Sequence, residues 1–183
     1  AQMEINFQHG DPLELADQVF LFKRTLRQAA LKHKLYATFM YNQHQQYNIL
    51  EVHAMAHGLL NGLMDIRRAP NIWADYEELW EDHDNPPQLL SVTKKYADHI
   101  MSIKEDSQKL FAHMYTRHMG DLSGGQMIRK KIPGSGTLYD FEDGPALKEL
   151  IRERLDDSMA DEAKICFDFA TQTFQELMDV KLS

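Results

Sequence analysis

The stretch His118-Met119-Gly120-Asp121-Leu122-Ser123-Gly124-Gly125-Gln126 decides how this sequence is interpreted. It lies in a segment from about Ser107 to Lys131 whose apolar residues recur at mostly helical spacing, with no proline before Pro133. Each glycine in a helix interior costs about 1 kcal/mol relative to alanine, so three of them indicate that this helix needs a surface without side chains. The spacing of Gly120, Gly124 and Gly125 predicts one bare helix face, with the Asp121 carboxylate beside it.

A bare helix face has two common explanations. It allows a second helix to cross closely, which is the more frequent reason for an arbitrary Gly-x-x-x-Gly pattern. It also allows a flat, bulky ligand to rest against the backbone itself. The residues that flank the glycines decide between these two explanations.

The longer segment Tyr115-Thr-Arg-His-Met-Gly-Asp-Leu-Ser-Gly-Gly-Gln126 resembles the distal-helix signature of the heme oxygenase family. The matching segment is long, and its residues occur in the same order, so a match by chance is improbable. In that family the helix kinks at its glycines over the heme face, and the Asp holds a water network that delivers protons. The resemblance therefore implies that Gly120, Gly124 and Gly125 bind heme and that Asp121 acts in catalysis.

The same resemblance implies further contacts around the heme. Arg117 and Tyr47 correspond to members of the hydrogen-bond network of the Asp, and Tyr115 corresponds to a residue near the propionate edge. Lys148 and Arg152 are four residues apart on one helical face and match the basic pair that holds the propionates. Without the resemblance, these two cations would be interpreted as a surface charge pair.

Residues from Glu162 to Leu177 resemble the last core helix of the family. Phe167 and Phe174 fall on one face of this helix, where the family has aromatic residues that wall the heme. Aromatic residues seven apart are more often plain core, so this pair adds modest support. From about Tyr41 to Val180 the order of features follows the heme oxygenase pattern.

The first forty residues depart from that pattern. Glu4-Ile-Asn-Phe7, the segment His9-Gly-Asp-Pro-Leu-Glu-Leu-Ala-Asp-Gln18 and the segment that ends at Leu35-Tyr-Ala-Thr-Phe-Met40 resemble a fragment of glutamine synthetase. Of the metal-binding carboxylates of that family, only Glu4 has a counterpart, so the fragment is not expected to carry its chemistry. The sequence therefore predicts a fusion, with residues 1–40 supplying the first helix of a heme oxygenase-like domain at 41–183.

This exchange affects the axial ligand of the heme iron, because the family carries its proximal His on the first helix. The corresponding position falls near Leu13 or Glu14, and neither is a histidine. His9 lies about one helical turn earlier, although Pro12 favours a helix that begins after it. His9 is the candidate iron ligand that the sequence offers.

Other histidines suggest a different kind of metal site. His53 and His57 are four residues apart, which can place two imidazoles on one metal ion. No paired Glu-x-x-His motifs accompany them, so a di-iron carboxylate site is poorly supported. We interpret them as partly exposed polar residues, and we expect His113 and His118 to orient within the distal helix without binding metal.

Helical spacing dominates the chain, and no strand alternation is convincing. The predicted helices run from Asp11-Pro12 to about Leu35, from Tyr41 to about Ile66, from Trp73 to Trp80, from Leu89 to Ile103 and from Ser107 to Lys131. Two more follow the loop at Pro133-Gly134-Ser135-Gly136, with Ser158 as the expected N-cap of the last. This pattern predicts an all-α, single-domain helical bundle.

Composition limits the class of protein. The chain has 183 residues, 43% of them hydrophobic and 26% charged, which is typical of one globular domain with a full core. A net charge of −8 argues against general nucleic-acid binding, and no apolar run or signal peptide pattern indicates a membrane. Cys166 is the single cysteine, which fits a reducing cytoplasm. A cytoplasmic monomer is expected.

The resemblance implies a heme oxygenase, which opens heme to biliverdin, carbon monoxide and ferrous iron with O2 and external electrons. Heme is both substrate and cofactor of that reaction. The basic run Arg129-Lys130-Lys131 is either a complement to the helix dipole or a dock for an acidic donor such as a ferredoxin. Two alternatives remain: a heme-binding protein without turnover, and a helical interaction module without a cofactor.

Overall fold

The computed structural model describes residues 35–80, 82 and 84–180, and all regular secondary structure within these ranges is helical. Six α-helices follow one another in this part of the chain: α1 Leu35–Ala56, α2 Ala69–Leu79, α3 Ser91–Ile103, α4 Ser107–Arg129, α5 Gly144–Arg152 and α6 Ala160–Asp179. Short 3-10 turns cover Met64–Ile66, Thr137–Tyr139 and Asp157–Met159. The predicted all-α domain is confirmed.

Helix α1 organises the packing of this domain. It packs against α2, α3 and α4, while α6 packs mainly against α3 and α4. Leu50 and Ala54 of α1 belong to the larger apolar cluster, and Met40 and Tyr47 belong to a second cluster against α2. Helix α1 thus contributes to both of these apolar clusters. Its buried polar residues face α4.

Two of the sequence-based boundaries are wrong for physical reasons that the structure shows. The helix predicted from Tyr41 to Ile66 ends at Ala56, because Gly58 and Gly62 adopt positive φ angles of 68° and 75° that end a helix. Ser158 is not the N-cap of the last helix. Its backbone N–H donates to the Asp156 side chain in the preceding 3-10 turn, and α6 begins at Ala160.

Two other helices begin at a capping aspartate. Asp106 caps α4 by accepting from the backbone N–H of Lys109 at 3.1 Å, and Asp143 caps α5 in the same way through Ala146. Helix α2 begins at Ala69, earlier than expected, with Pro70 in its first turn. No helix in the ranges that the structure describes has the length and hydropathy to cross a membrane.

The helix predicted between Asp11 and Leu35 lies outside the described residues, as does His9. Within the described residues helix α1 spans Leu35–Ala56 and continues without interruption through the proposed join at Met40-Tyr41. Phe39, just before this join, stacks against Phe174 of α6 with ring centroids 5.4 Å apart. Residues on both sides of the join are therefore packed into the same helical domain.

Candidate functional site

The three glycines of α4 face two different environments. A Cβ atom added at Gly120 or Gly124 would meet no atom within 4 Å. A Cβ added at Gly125 would lie 2.8 Å from Cε1 of Tyr139, which is closer than real contacts allow. Each explanation for the bare face therefore applies to different glycines. Gly125 permits close packing, whereas Gly120 and Gly124 leave a helix surface open.

Asp121 is fixed beside this open surface by a tyrosine from α1. The Tyr47 hydroxyl donates to Oδ2 of Asp121 at 2.7 Å, and the Tyr47 side chain is buried. Burial raises the pKa of Asp121 to about 6, although the hydrogen bond from Tyr47 and the positive charges of His118, Arg117 and Arg68 act against this rise. A carboxyl group with a pKa near neutrality is suited to accepting and returning protons.

Arg117 holds α1 and α4 together one turn before Asp121. Its guanidinium donates to Oε1 of Gln46 at 2.5 Å, and its Nε donates to the Tyr96 hydroxyl at 3.1 Å. The same guanidinium lies over the rings of Tyr96 and Tyr47, 4.3 Å and 5.3 Å from their centroids. Arg117 therefore supports Asp121 through the Tyr47 ring, and its charge lies within the same buried network.

Glu51, one turn after Tyr47 on α1, is a carboxylate buried against α4. Its oxygens accept from the backbone N–H of Arg68 at 2.6 Å and of Ala69 at 3.2 Å, at the start of α2. Oε1 also contacts Nε2 of His118 at 3.0 Å. Burial alone would raise the pKa of Glu51, but His118 and these two N–H groups lower it below its ordinary value.

His113, His99 and Glu162 form a third polar cluster, where α3, α4 and α6 meet. Oε1 of Glu162 accepts from Nε2 of His99 at 2.5 Å and from Nε2 of His113 at 3.0 Å. In the part of the chain that the structure describes, these are the three side chains whose potential metal-ligand atoms lie within 4.8 Å of one another.

The hydrogen bonds account for this cluster without a metal ion. Because Arg117 donates to the Tyr96 hydroxyl, that hydroxyl donates in turn to Nδ1 of His113 at 3.2 Å, which leaves Nε2 to carry the ring proton. Burial lowers the pKa of His113 to about 4, against the effect of Glu162. The imidazole is therefore neutral and engaged at both nitrogens.

The predicted histidine pair on α1 does not form a comparable cluster. Nε2 of His57 contacts the Lys104 carbonyl oxygen at 2.6 Å, and His57 lies beyond the end of α1. His53 is half-buried within the helix. The structure is consistent with our interpretation of both as partly exposed polar residues.

The remaining site residues suggested by the resemblance lie on three helices. Lys148 is half-buried and Arg152 exposed on α5, while Tyr115 on α4 packs partly buried against the larger core. Phe167 and Phe174 on α6 are 58% and 54% exposed, so they are not the plain core residues that their spacing alone suggested. The structure brings Tyr47, Arg117 and Asp121 together, and it places Phe174 against Phe39 of α1.

Several polar residues of the site were missed in the sequence. Glu51, Gln46 and Tyr96 are at most 1% exposed. On α1, Gln46, Tyr47, Leu50, Glu51 and Ala54 occupy one buried face at helical spacing. The signal was available, because charged and amide groups on an otherwise apolar face are rare unless they are paired. Their partners, 71 and 67 residues away on α4, were not deducible from spacing.

Comparison with known proteins agrees with this arrangement. The sequence profile of the heme oxygenase family, described simply as heme oxygenase, matches residues 11–180. The chain is 34% identical over 140 residues to heme oxygenase 2 of Macaca fascicularis, covering 62% of this chain and 43% of that protein. It is 36% identical over 123 residues to heme oxygenase of Guillardia theta, covering 56% and 51%.

Solved structures show the same architecture. Heme oxygenase-2 from Synechocystis sp. PCC 6803, crystallised in complex with heme and NO, superposes with a TM-score of 0.70 and 25% identity, over 81% of this chain and 73% of that one. Heme oxygenase 2 from Chlamydomonas reinhardtii, solved without heme, shares the fold with a TM-score of 0.67 and 19% identity, over 93% and 95%.

Fold, distal helix and profile together define a helical protein of the heme oxygenase class. This chain belongs to the heme oxygenase family. It spans about half the length of the first two curated relatives named above, 43% and 51%. The matched span begins at residue 11, upstream of the join that the sequence predicts at Met40-Tyr41.

Proposed function

We propose that this protein is a heme oxygenase, which opens heme to biliverdin, carbon monoxide and ferrous iron with O2 and external electrons. The observation that carries the proposal is the pairing of an open helix surface with a half-buried acid. Gly120 and Gly124 present backbone to open space, and Asp121 between them is held by Tyr47 with its pKa raised to about 6. A flat ring fits against the open helix surface, and proton transfer through water needs an acid such as Asp121.

In this proposal each residue has a distinct task. Heme supplies the iron chemistry. The glycine surface of α4 lets the ring lie against the backbone, and Asp121 orders the water that carries protons. Lys148, which is half-buried, and Arg152, which is exposed, bind the propionates from α5 and so fix the rotation of the ring in its plane. Phe167 and Phe174 offer exposed aromatic surface for the ring edge.

Titration with heme, followed by ascorbate in air, tests this proposal directly. We expect a Soret band with one heme per chain and then conversion of the bound heme to biliverdin. A Soret band without biliverdin would support the alternative of a heme-binding protein without turnover. No change in the heme spectrum would leave a helical interaction module and contradict the proposal.

The same complex tests the axial ligand. We propose His9 for this position, with residues 1–40 supplying the first helix of the domain. His9→Ala is then expected to give a five-coordinate or water-ligated heme whose activity returns when imidazole is added, because neutral imidazole is a usual protein ligand of heme iron. An unchanged spectrum and rate would assign the ligand to another residue.

The electron donor is proposed to dock at the end of α4. Lys130 and Lys131 are exposed there, whereas Arg129 is paired with Asp140 through a hydrogen bond of 2.9 Å from Nη2 and is left unchanged in the test. The double variant Lys130→Glu/Lys131→Glu is expected to slow reduction by ferredoxin about ten-fold or more at low salt. Ascorbate-driven turnover should survive.

A matched control for this charge reversal is Lys94→Glu/Lys95→Glu on α3, where both lysines are also exposed and adjacent. It changes the net charge equally and should leave the ferredoxin rate close to wild type. Equal loss of activity with both donors would indicate a folding defect, and equal slowing by both variants would indicate long-range charge without a docking site.

A further inference from the structure

One histidine of α4 has hydrogen-bond acceptors at both ring nitrogens. Nδ1 of His118 lies 3.0 Å from the Met114 carbonyl oxygen, and Nε2 lies 3.0 Å from Oε1 of Glu51. The His118 side chain is fully buried, and that of Glu51 is 1% exposed. Solvent therefore does not provide alternative partners for either ring nitrogen.

This geometry determines the charge of the ring. A carbonyl oxygen accepts hydrogen bonds and never donates them, so Nδ1 must carry a proton. Nε2 must also carry one if Glu51 is a carboxylate. Glu51 accepts from the backbone N–H groups of Arg68 at 2.6 Å and Ala69 at 3.2 Å, and these donors stabilise its ionised form. This arrangement favours an imidazolium at His118 paired with a carboxylate at Glu51.

The imidazolium lies next to the residue that holds Asp121. The ring centroids of His118 and Tyr47 are 5.0 Å apart, and the Tyr47 hydroxyl donates to Asp121. Positive charge at His118 favours the ionised form of Asp121, together with Arg117 and Arg68. The phenols of Tyr36 and Tyr139 are the other titratable groups coupled to this carboxyl.

We propose that His118 is a positioning residue held as an imidazolium by Glu51, and that its charge keeps Asp121 ionised at neutral pH. The consequence for proton delivery rests on the proposed heme oxygenase function, but the charge state itself does not. Glu51 has a double task in this arrangement, since the same carboxylate caps the start of α2 and fixes the proton on Nε2 of His118.

The charge state is measurable in the heme-free full chain by 15N NMR of the imidazole nitrogens. At about pH 7 both nitrogens of His118 are expected to be protonated, which separates it from His113, where only Nε2 carries a proton. A single protonated nitrogen on His118 would overturn the proposal, regardless of the results obtained with variants. Because no heme is present, this result is independent of whether the protein turns heme over.

The effect on Asp121 is measured by 13C NMR titration of its carboxyl carbon. Because the positive charge of His118 favours the ionised form of Asp121, its removal in His118→Gln is expected to raise the Asp121 titration midpoint by about one pH unit. The matched control is His57→Gln, which removes an exposed histidine beyond the end of α1 and should leave the midpoint unchanged. A folded His118→Gln protein with the wild-type midpoint would overturn the proposal.

A second variant keeps the test valid if His118→Gln does not fold. Glu51→Gln retains an oxygen that accepts from the N–H of Arg68, but it removes the anion beside His118. His118 is then expected to lose one ring proton at about pH 7, and the Asp121 midpoint should rise. Protonation of both nitrogens in this variant would contradict the role assigned to Glu51.

Discussion

Replacing Asp121 with Asn is expected to leave heme affinity nearly unchanged and to lower biliverdin formation in single turnover by about 100-fold or more. Asn keeps an oxygen that accepts from the Tyr47 hydroxyl, so the hydrogen bond of 2.7 Å and the position of the side chain are retained. The substitution removes the acid that exchanges protons. Asp98→Asn, the same change at an exposed position on α3, serves as the control. Wild-type biliverdin yield in Asp121→Asn would remove this residue from the mechanism.

The same variant has a stability signature that does not require heme. Burial raises the folded-state pKa of Asp121 from 3.8 to about 6, so its contribution to stability is fully present below pH 3.8 and is lost as pH rises through about 6. Asp121→Asn should therefore be more stable than wild type by about 1–3 kcal/mol at neutral and higher pH, and the difference should vanish in acid. Chemical denaturation at several pH values measures this, and a difference that does not depend on pH would contradict the raised pKa.

The loss of folding stability caused by ionised Asp121 connects the fold to the proposed activity. A half-buried acid that is ionised at neutral pH destabilises the folded chain, and the network around it limits that cost. Tyr47 donates to the carboxylate, and Arg117 on α4 donates to Gln46 of α1 at 2.5 Å and to Tyr96 of α3 at 3.1 Å. The contact between α1 and α4 is therefore polar where it supports the acid and apolar at Leu50 and Ala54 beside it.

The sequence predicted the helical architecture well where local signals act alone. Helix α4 was expected from Ser107 to Lys131 and runs from Ser107 to Arg129, because a capping Asp106 and the first turn are local features. The predicted end of α1 was wrong, because Gly58, inside the predicted helix, adopts a positive φ of 68°. A glycine can lie within a helix or end it, and the spacing of apolar residues does not distinguish these two cases.

The site was predictable only in part for a similar reason. The motif on α4 pointed to Asp121 and its glycines, and the resemblance added Tyr47 and Arg117. His118 and Glu51 are 67 positions apart in the sequence. In the sequence, each of them is an isolated polar residue in a predicted helix, and nothing indicates that they are partners. Only the packing of α1 against α4 makes them a buried ion pair. The identity of the iron ligand stays a prediction, because His9 lies outside the described residues.

The glycines give the second large effect, because the same substitution at two adjacent positions should change stability in opposite directions. Gly124→Ala places its Cβ where no atom lies within 4 Å, so it should stabilise the heme-free protein by about 1 kcal/mol through helix propensity. Gly125→Ala forces its Cβ against the Tyr139 ring and should destabilise the protein by about 1–3 kcal/mol. Urea denaturation of the two variants measures the difference.

Heme binding then separates the two explanations for a bare helix face. Gly124→Leu should fold as well as wild type without heme, yet it should weaken heme binding by about 1–3 kcal/mol, because its side chain enters the surface on which the ring is proposed to rest. Gly125→Ala should bind heme close to normally once folded, because its defect is packing against Tyr139. If Gly124→Leu instead binds heme normally and loses only stability, the open surface serves helix packing, and heme must bind elsewhere.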